Sequence, residues 1–282
     1  MKTAFLSLLI FVCLLIAPGL VTPNAQAQVV EQLEQAPASG TATLVSLDDQ
    51  RAALQQLYRE QIQAYQTAYR QFSLAKSQLQ QFETLASLEG AVAASRSVFI
   101  SRDELLLTYL DQLLLELNNS PSYEEGANQE LVAKISQLRS ELTAFNQLVT
   151  NSQDRQAIAE RAEGFIPIAA QIQEYSTRTR IVLLLGRLNA SAGTAQQLTI
   201  AVKQDHEANP VSAVKQGERQ RAYQELTTAD DIVHKAWDKM VSAYVDAGVI
   251  RENTYADVAI LASPVQASLL RWYTLLEQTA KL

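Results

Sequence analysis

From Ser46 onward the chain places apolar residues three and four positions apart between long polar intervals, the spacing of a single buried stripe on an α-helix. The first stripe is Leu54, Tyr58, Ile62, Tyr65, Tyr69, Phe72, Leu79 and Phe82, and Gln55, Gln56, Arg59, Glu60, Gln63, Gln66, Arg70 and Gln71 occupy its polar side. Ser46, followed three residues later by Asp49, has the form of a capping box, so a helix is predicted from Ser46 to about Thr84, roughly 55 Å long at 1.5 Å per residue. Val92, Phe99, Leu106, Leu110, Leu113 and Leu117 predict a second helix over about 87–118. Leu105, Leu107, Leu114 and Leu115 widen its apolar surface enough to meet several neighbours. Ser101-Arg102-Asp103-Glu104 has the form of another helix start, but the apolar spacing continues on both sides and favours a helix that runs through it.

Asn118 to Pro121 ends that segment, and Ser122 with Glu125 reads as the start of a third helix. Its stripe of Leu131, Ile135, Leu138, Leu142, Phe145 and Val149 alternates steps of four and three, the form of a bundle seam. Asn151 reads as the cap of a fourth helix that must kink or restart at Pro167. Beyond the proline its stripe is Ile172, Tyr175, Val182, Leu185, Leu188, Ala192, Ala195, Leu198 and Val202. Ile181 to Leu185 is apolar on every side, which places it at the centre of a bundle. Asn209-Pro210 opens a fifth helix that stops at Gly248, with the stripe Ala222, Leu226, Ala229, Val233, Ala236, Met240 and Ala243. Thr254 with Asp257 starts a final segment, and Ser263-Pro264 predicts a break before Val265, Leu269, Trp272 and Leu276.

The fold class expected is therefore all-α: an elongated bundle of about six long, mostly antiparallel helices with coiled-coil-like packing. The bundle spans 46–282, and any subdivision falls near 119–125 or 150–153. The 9 glycines and 7 prolines in 282 residues agree with a helix-rich chain. Residues 28–45, containing Pro37-Ala38-Ser39-Gly40, read as a flexible linker.

The first 27 residues change the expected compartment. Lys2, an apolar run over 4–21, the breaker Pro18-Gly19 and small residues at Ala25 and Ala27 form a secretory leader with cleavage after Ala27. The alternative is an uncleaved anchor, since the run approaches the roughly 20 apolar residues that span a bilayer. The reading is an exported protein of a bacterial periplasm, envelope or exterior, with membrane contact only through a retained segment 4–21. Cys13 is the chain's one cysteine and falls in that run, so cleavage leaves a mature chain without disulfide or thiol chemistry. Loss of Lys2 moves the net charge from −7 to −8. Such an acidic chain lacks the basic footprint of a nucleic-acid binder.

Catalytic motifs are missing from the sequence. It holds no Gly-x-Gly-x-x-Gly, P-loop, His-Glu-x-x-His or Gly-x-Ser-x-Gly, and its two histidines cannot build a Cys/His zinc site. Asp230, His234 and Asp238 are spaced by four on one helical face and are the weak candidates for a metal. A solvated face explains them better, because Asp230 and Asp238 stand two turns apart, about 12 Å along the axis. His206 lies at a predicted helix end, where an imidazole commonly meets terminal carbonyls. Arg178, Arg180 and Arg187 are a possible basic spot, with stems covering an apolar edge as the plainer role. Tyr58, Tyr65 and Tyr69 either pack or line a groove.

No catalytic residue and no cofactor is assigned. The functional expectation is a non-enzymatic structural or protein-interaction protein of the cell envelope that binds a protein partner or associates with itself. The alternative is a helical ligand-binding or sensory domain. Intact-mass measurement of protein recovered from the exported fraction should show a new terminus at Gln28, whereas retention of Met1 establishes the anchor instead.

Overall fold

The computed structural model describes residues 46–248, 250 and 253–282. The leader at 1–27 and the linker at 28–45 lie outside the described residues. Among those described there are six α-helices and no strand: α1 Leu47–Phe82, α2 Leu85–Asn119, α3 Ala127–Thr150, α4 Arg155–Ala208, α5 Ala213–Asp246 and α6 Thr254–Thr279. The fold is an all-α helical bundle. No described helix is long and apolar enough to cross a membrane.

The chain divides into two compact units, one ending at Gln56 and the other running from Leu57 to Leu282. In the first, Ser46 caps the start of α1: its hydroxyl accepts from the Asp49 N–H at 3.1 Å and donates to the Asp49 carboxylate at 2.8 Å. This satisfies one of the N–H groups that a helix start leaves without an internal partner.

In the second unit α2 pairs with α3, and α5 pairs with α6. α4, 54 residues long, touches all four of these helices. Its early turns bury Ile158, Ala162 and Phe165, with the Phe165 ring 5.9 Å from that of Phe145 on α3. Its later turns share a core with α5 and α6, in which Ile181, Leu185, Leu188 and Ala195 meet Leu226, Val233, Met240, Val258, Val265 and Trp272. The predicted stripe of α3 is buried in full: Leu131, Ile135, Leu138, Leu142, Phe145 and Val149. Ile181, Val182, Leu183 and Leu185 are all buried, as apolarity on every side of the helix requires.

Several helix boundaries differ from the sequence expectation. α2 starts with a capping box of Thr84 and Ser87, and it runs unbroken through Ser101–Glu104 as the apolar spacing predicts. Ser122 and Glu125 do not open α3. The Ser122 hydroxyl bonds the Glu124 carbonyl inside the turn, and Gly126, at φ 83, stands at the N-cap in a conformation that suits glycine. Asn128, in the first turn of α3, donates to the Leu117 and Ser120 carbonyls at 3.0 and 2.9 Å and so finishes α2. Asn151 ends α3, and the cap of α4 is Asp154, whose carboxylate accepts from the Ala157 N–H at 2.8 Å. α5 begins at Ala213, with Ser212 rather than Asn209 at its N-cap.

Neither internal proline stops its helix. α4 continues through Pro167 and α6 through Pro264, so of the kink or restart expected at Pro167 the restart does not occur, nor does the predicted break at Ser263. Both prolines are exposed, so the backbone carbonyl each leaves unpaired faces water. The buried rows meanwhile continue past them, Ala162, Phe165 and Ile172 on α4 and Ala262, Val265 and Leu269 on α6. Packing on the inner face outweighs one lost hydrogen bond on the outer face.

One close approach fixes where α4 lies. A side-chain carbon added at Gly186 would stand 1.9 Å from the Pro121 carbonyl oxygen, so α4 and the 120–126 turn are in backbone contact there. Gly193, two turns further on, meets nothing within 4 Å. Gly186→Ala should therefore destabilise the fold by at least about 2 kcal/mol despite the better helix propensity of alanine. Gly193→Ala should stabilise it by about 0.5–1 kcal/mol. Urea denaturation of both variants checks the pair, and equal effects would contradict the backbone contact.

Candidate functional site

The chemistry concentrated inside the bundle is a buried ion pair on α2, at two positions whose burial the apolar spacing of the sequence does not indicate. Arg102 and Asp103 are 4% and 0% exposed. The guanidinium donates through Nε and Nη2 to one carboxylate oxygen, Oδ1, at 2.9 and 2.7 Å. It also lies over the Phe165 ring of α4, 3.3 Å from the centroid, and over Phe99 at 4.8 Å. Aromatic faces attract such a cation, and the attraction grows when water is excluded. The Asp103 Oδ2 atom has no hydrogen-bond partner among the described protein groups.

Burial pushes the Asp103 carboxyl up to about 6, against the pull of the neighbouring Arg102 charge. Burial also lowers the Arg102 pKa, with Asp103 and the nearby Tyr65 of α1 opposing the shift. Tyr65 stands in the row Tyr65, Tyr69 and Phe72, whose successive rings are 6.4 Å apart. Tyr65 and Phe72 are buried and Tyr69 is exposed, while Tyr58 lies 6.3 Å from Tyr109 of α2. The Tyr58–Tyr109 ring pair joins α1 to α2.

A second polar group closes the α4–α5 turn. His206 Nδ1 lies 2.7 Å from the Tyr223 hydroxyl, and burial holds the imidazole below its ordinary pKa, with Arg219 adding to the effect and Asp205 opposing it. The terminal carbonyls are not met by His206. Arg219, a buried residue of α5, donates to the carbonyls of His206 and Asn209 at 3.0 and 2.9 Å. Those groups would otherwise be orphaned at the end of α4.

The sequence-selected charges fall elsewhere. His234 Nδ1 is 3.0 Å from the Asp230 carboxylate and 2.9 Å from the Asp230 carbonyl, on a solvent-facing part of α5. Asp238 is not drawn into a cluster with them, and no group of three metal-ligating side chains occurs among the described residues. Arg178 pairs with Glu174 at 3.0 Å and Arg187 with Glu116 at 3.2 Å. Arg180 lies 4.0 Å over the Tyr255 ring. The three arginines are thus dispersed among separate partners and do not form a common basic spot.

Two surface clefts of about 270 and 300 Å³ are open to solvent, and apolar side chains line them together with polar and charged ones. Glu89, Arg96, Asp154 and Arg155 line the first, and Glu218, Arg221 and Glu225 line the second. Neither contains Arg102, Asp103 or His206. No protein-family profile matches the chain, and no match is found among curated proteins or solved structures.

The buried pair gives a signed pH prediction. Folding raises the Asp103 pKa from near 4 to about 6, so the folded chain holds this proton more tightly. Its stabilising contribution is complete below the lower value and is lost as pH rises through about 6. Arg102→Met strands the carboxylate and should cost about 3–5 kcal/mol at pH 7. The loss should shrink at pH 5, where the carboxyl is protonated, and adding Asp103→Leu should recover most of it. Denaturant titrations at the two pH values measure this; a loss independent of pH would contradict a desolvated Asp103.

Proposed function

We propose that this chain is an exported, non-enzymatic protein of a cell envelope that acts by binding a protein partner or copies of itself. The observation that carries the reading is the exposed apolar surface at the α1–α2 elbow and on the last turns of α1, where Phe82, Leu85 and Leu74 are 60%, 71% and 61% exposed. A single exposed leucine is ordinary, but Phe82 and Leu85 stand on either side of one turn, with Leu74 two turns before it on α1, and several large exposed apolar side chains favour contact with another protein. The leader-like pattern over 1–27 supports the envelope compartment. The ligand-binding alternative draws less support, because Tyr58, Tyr65 and Phe72 are engaged in packing.

Cross-linking and capture from the exported fraction of the native host tests this reading. The parent should capture a protein or its own copies, and Leu74→Gln/Phe82→Gln/Leu85→Gln should reduce that capture at least about tenfold while keeping a helical circular dichroism spectrum. Capture unchanged by the substitutions, or a small molecule retained in stoichiometric amount, would overturn it.

A further inference from the structure

We propose that α1 exchanges between two copies of this chain, the helix of each docking on α2 of the other in place of its own. This rests on the interaction reading above and narrows the partner to a second copy.

The elbow is the first reason. Only Glu83 and Thr84 separate α1 from α2, and Glu83 has φ 47, in the left-handed region, with no glycine at the turn. Opening the elbow lets Glu83 enter right-handed helix, which glutamate favours, and so relieves the strain. Short hinges under strain are where exchange of an element between copies arises. The Thr84–Ser87 capping box opposes opening, so the elbow is held by a few identifiable groups.

The second reason is how lightly α1 is held. It buries Tyr65, Ala68 and Phe72, whereas α2, of similar length, buries residues along its course from Ala91 to Leu117. The extensive pairings of α2 with α3, α4 with α6 and α5 with α6 do not involve α1. α1 can therefore undock while those pairings persist, and the Tyr58–Tyr109 ring pair re-forms between copies unchanged. Third, Phe82 and Leu85 flank the hinge and are exposed when it is closed. Three residues apart, they share a side of the opened helix, where the hinges of two exchanged copies run past each other.

The test uses the full chain with Cys13→Ser, made in two versions carrying Tyr58→Cys or Tyr109→Cys. The two are mixed at high concentration, warmed and treated with a short bismaleimide. Exchange brings position 58 of one copy beside position 109 of the other, so a covalent heterodimer is expected that neither version forms alone. A dimer by light scattering without this cross-link overturns exchange but leaves self-association standing. A strict monomer also overturns exchange, and the interaction reading then stands or falls on the capture experiment.

Two further variants read the elbow without cysteines. Glu83→Gly relaxes the closed turn and should weaken the dimer about tenfold. Thr84→Ala/Ser87→Ala removes the caps of the closed form and should tighten it about tenfold. Sedimentation equilibrium measures both, and the opposite order, or no change in either, overturns the proposal.

Discussion

The rest of the second unit depends on the central turns of α4 being packed from several directions. Ile181, Val182, Leu183 and Leu185 are buried where the end of α2 and the 120–126 turn reach Gly186 and Arg187 of α4 and where α5 and α6 share its core. A polar residue at these positions would lose water without a place to recover its hydrogen bonds. Gly186 follows this run, and only the missing side chain lets the Pro121 carbonyl come so close. The buried apolar run and the glycine thus act together: one supplies the burial free energy, and the other sets the position of the α2–α3 turn on α4.

Polar groups inside the bundle act as local constraints on this packing. Arg102 and Asp103 are carried into the interior by apolar neighbours on the same helix, and Phe165 of α4 closes over the guanidinium. Arg219 joins α5 to the last carbonyls of α4, while Asn128 joins α3 to the last carbonyls of α2. In both cases the helix that follows supplies the side chain that finishes the helix before it. This ties successive helices at their ends with hydrogen bonds, where stripes of apolar side chains alone would leave the backbone carbonyls unmet. The α1–α2 elbow is closed differently, by a strained Glu83 and a cap lying within its own turn.

The all-α class and most buried faces were legible because apolar spacing reports helix faces directly. Val265, Leu269, Trp272 and Leu276 on α6 follow the same logic as the stripe of α3. Boundaries were harder, since Ser122, Asn151, Asn209 and Ser263 are all chemically able to start a helix, and tertiary packing decided against each. Pro167 and Pro264 were misleading because sequence does not say which side of a helix faces water. The Arg102–Asp103 pair was hidden for a related reason: spacing within one helix does not show that Phe165, far along the chain, closes over the guanidinium. Lone apolar side chains such as Leu198, counted in the α4 stripe, prove exposed, since a long helix changes neighbours along its course.

Native-state hydrogen exchange measured by mass spectrometry tests most directly whether the bundle depends on the centre of α4. The amides of 179–188 should exchange last, with a protection free energy equal to that of global unfolding by denaturant. Exchange there that is faster than in α2–α3 or α5–α6 would mean that those pairs hold themselves together, and would contradict a bundle organised on α4.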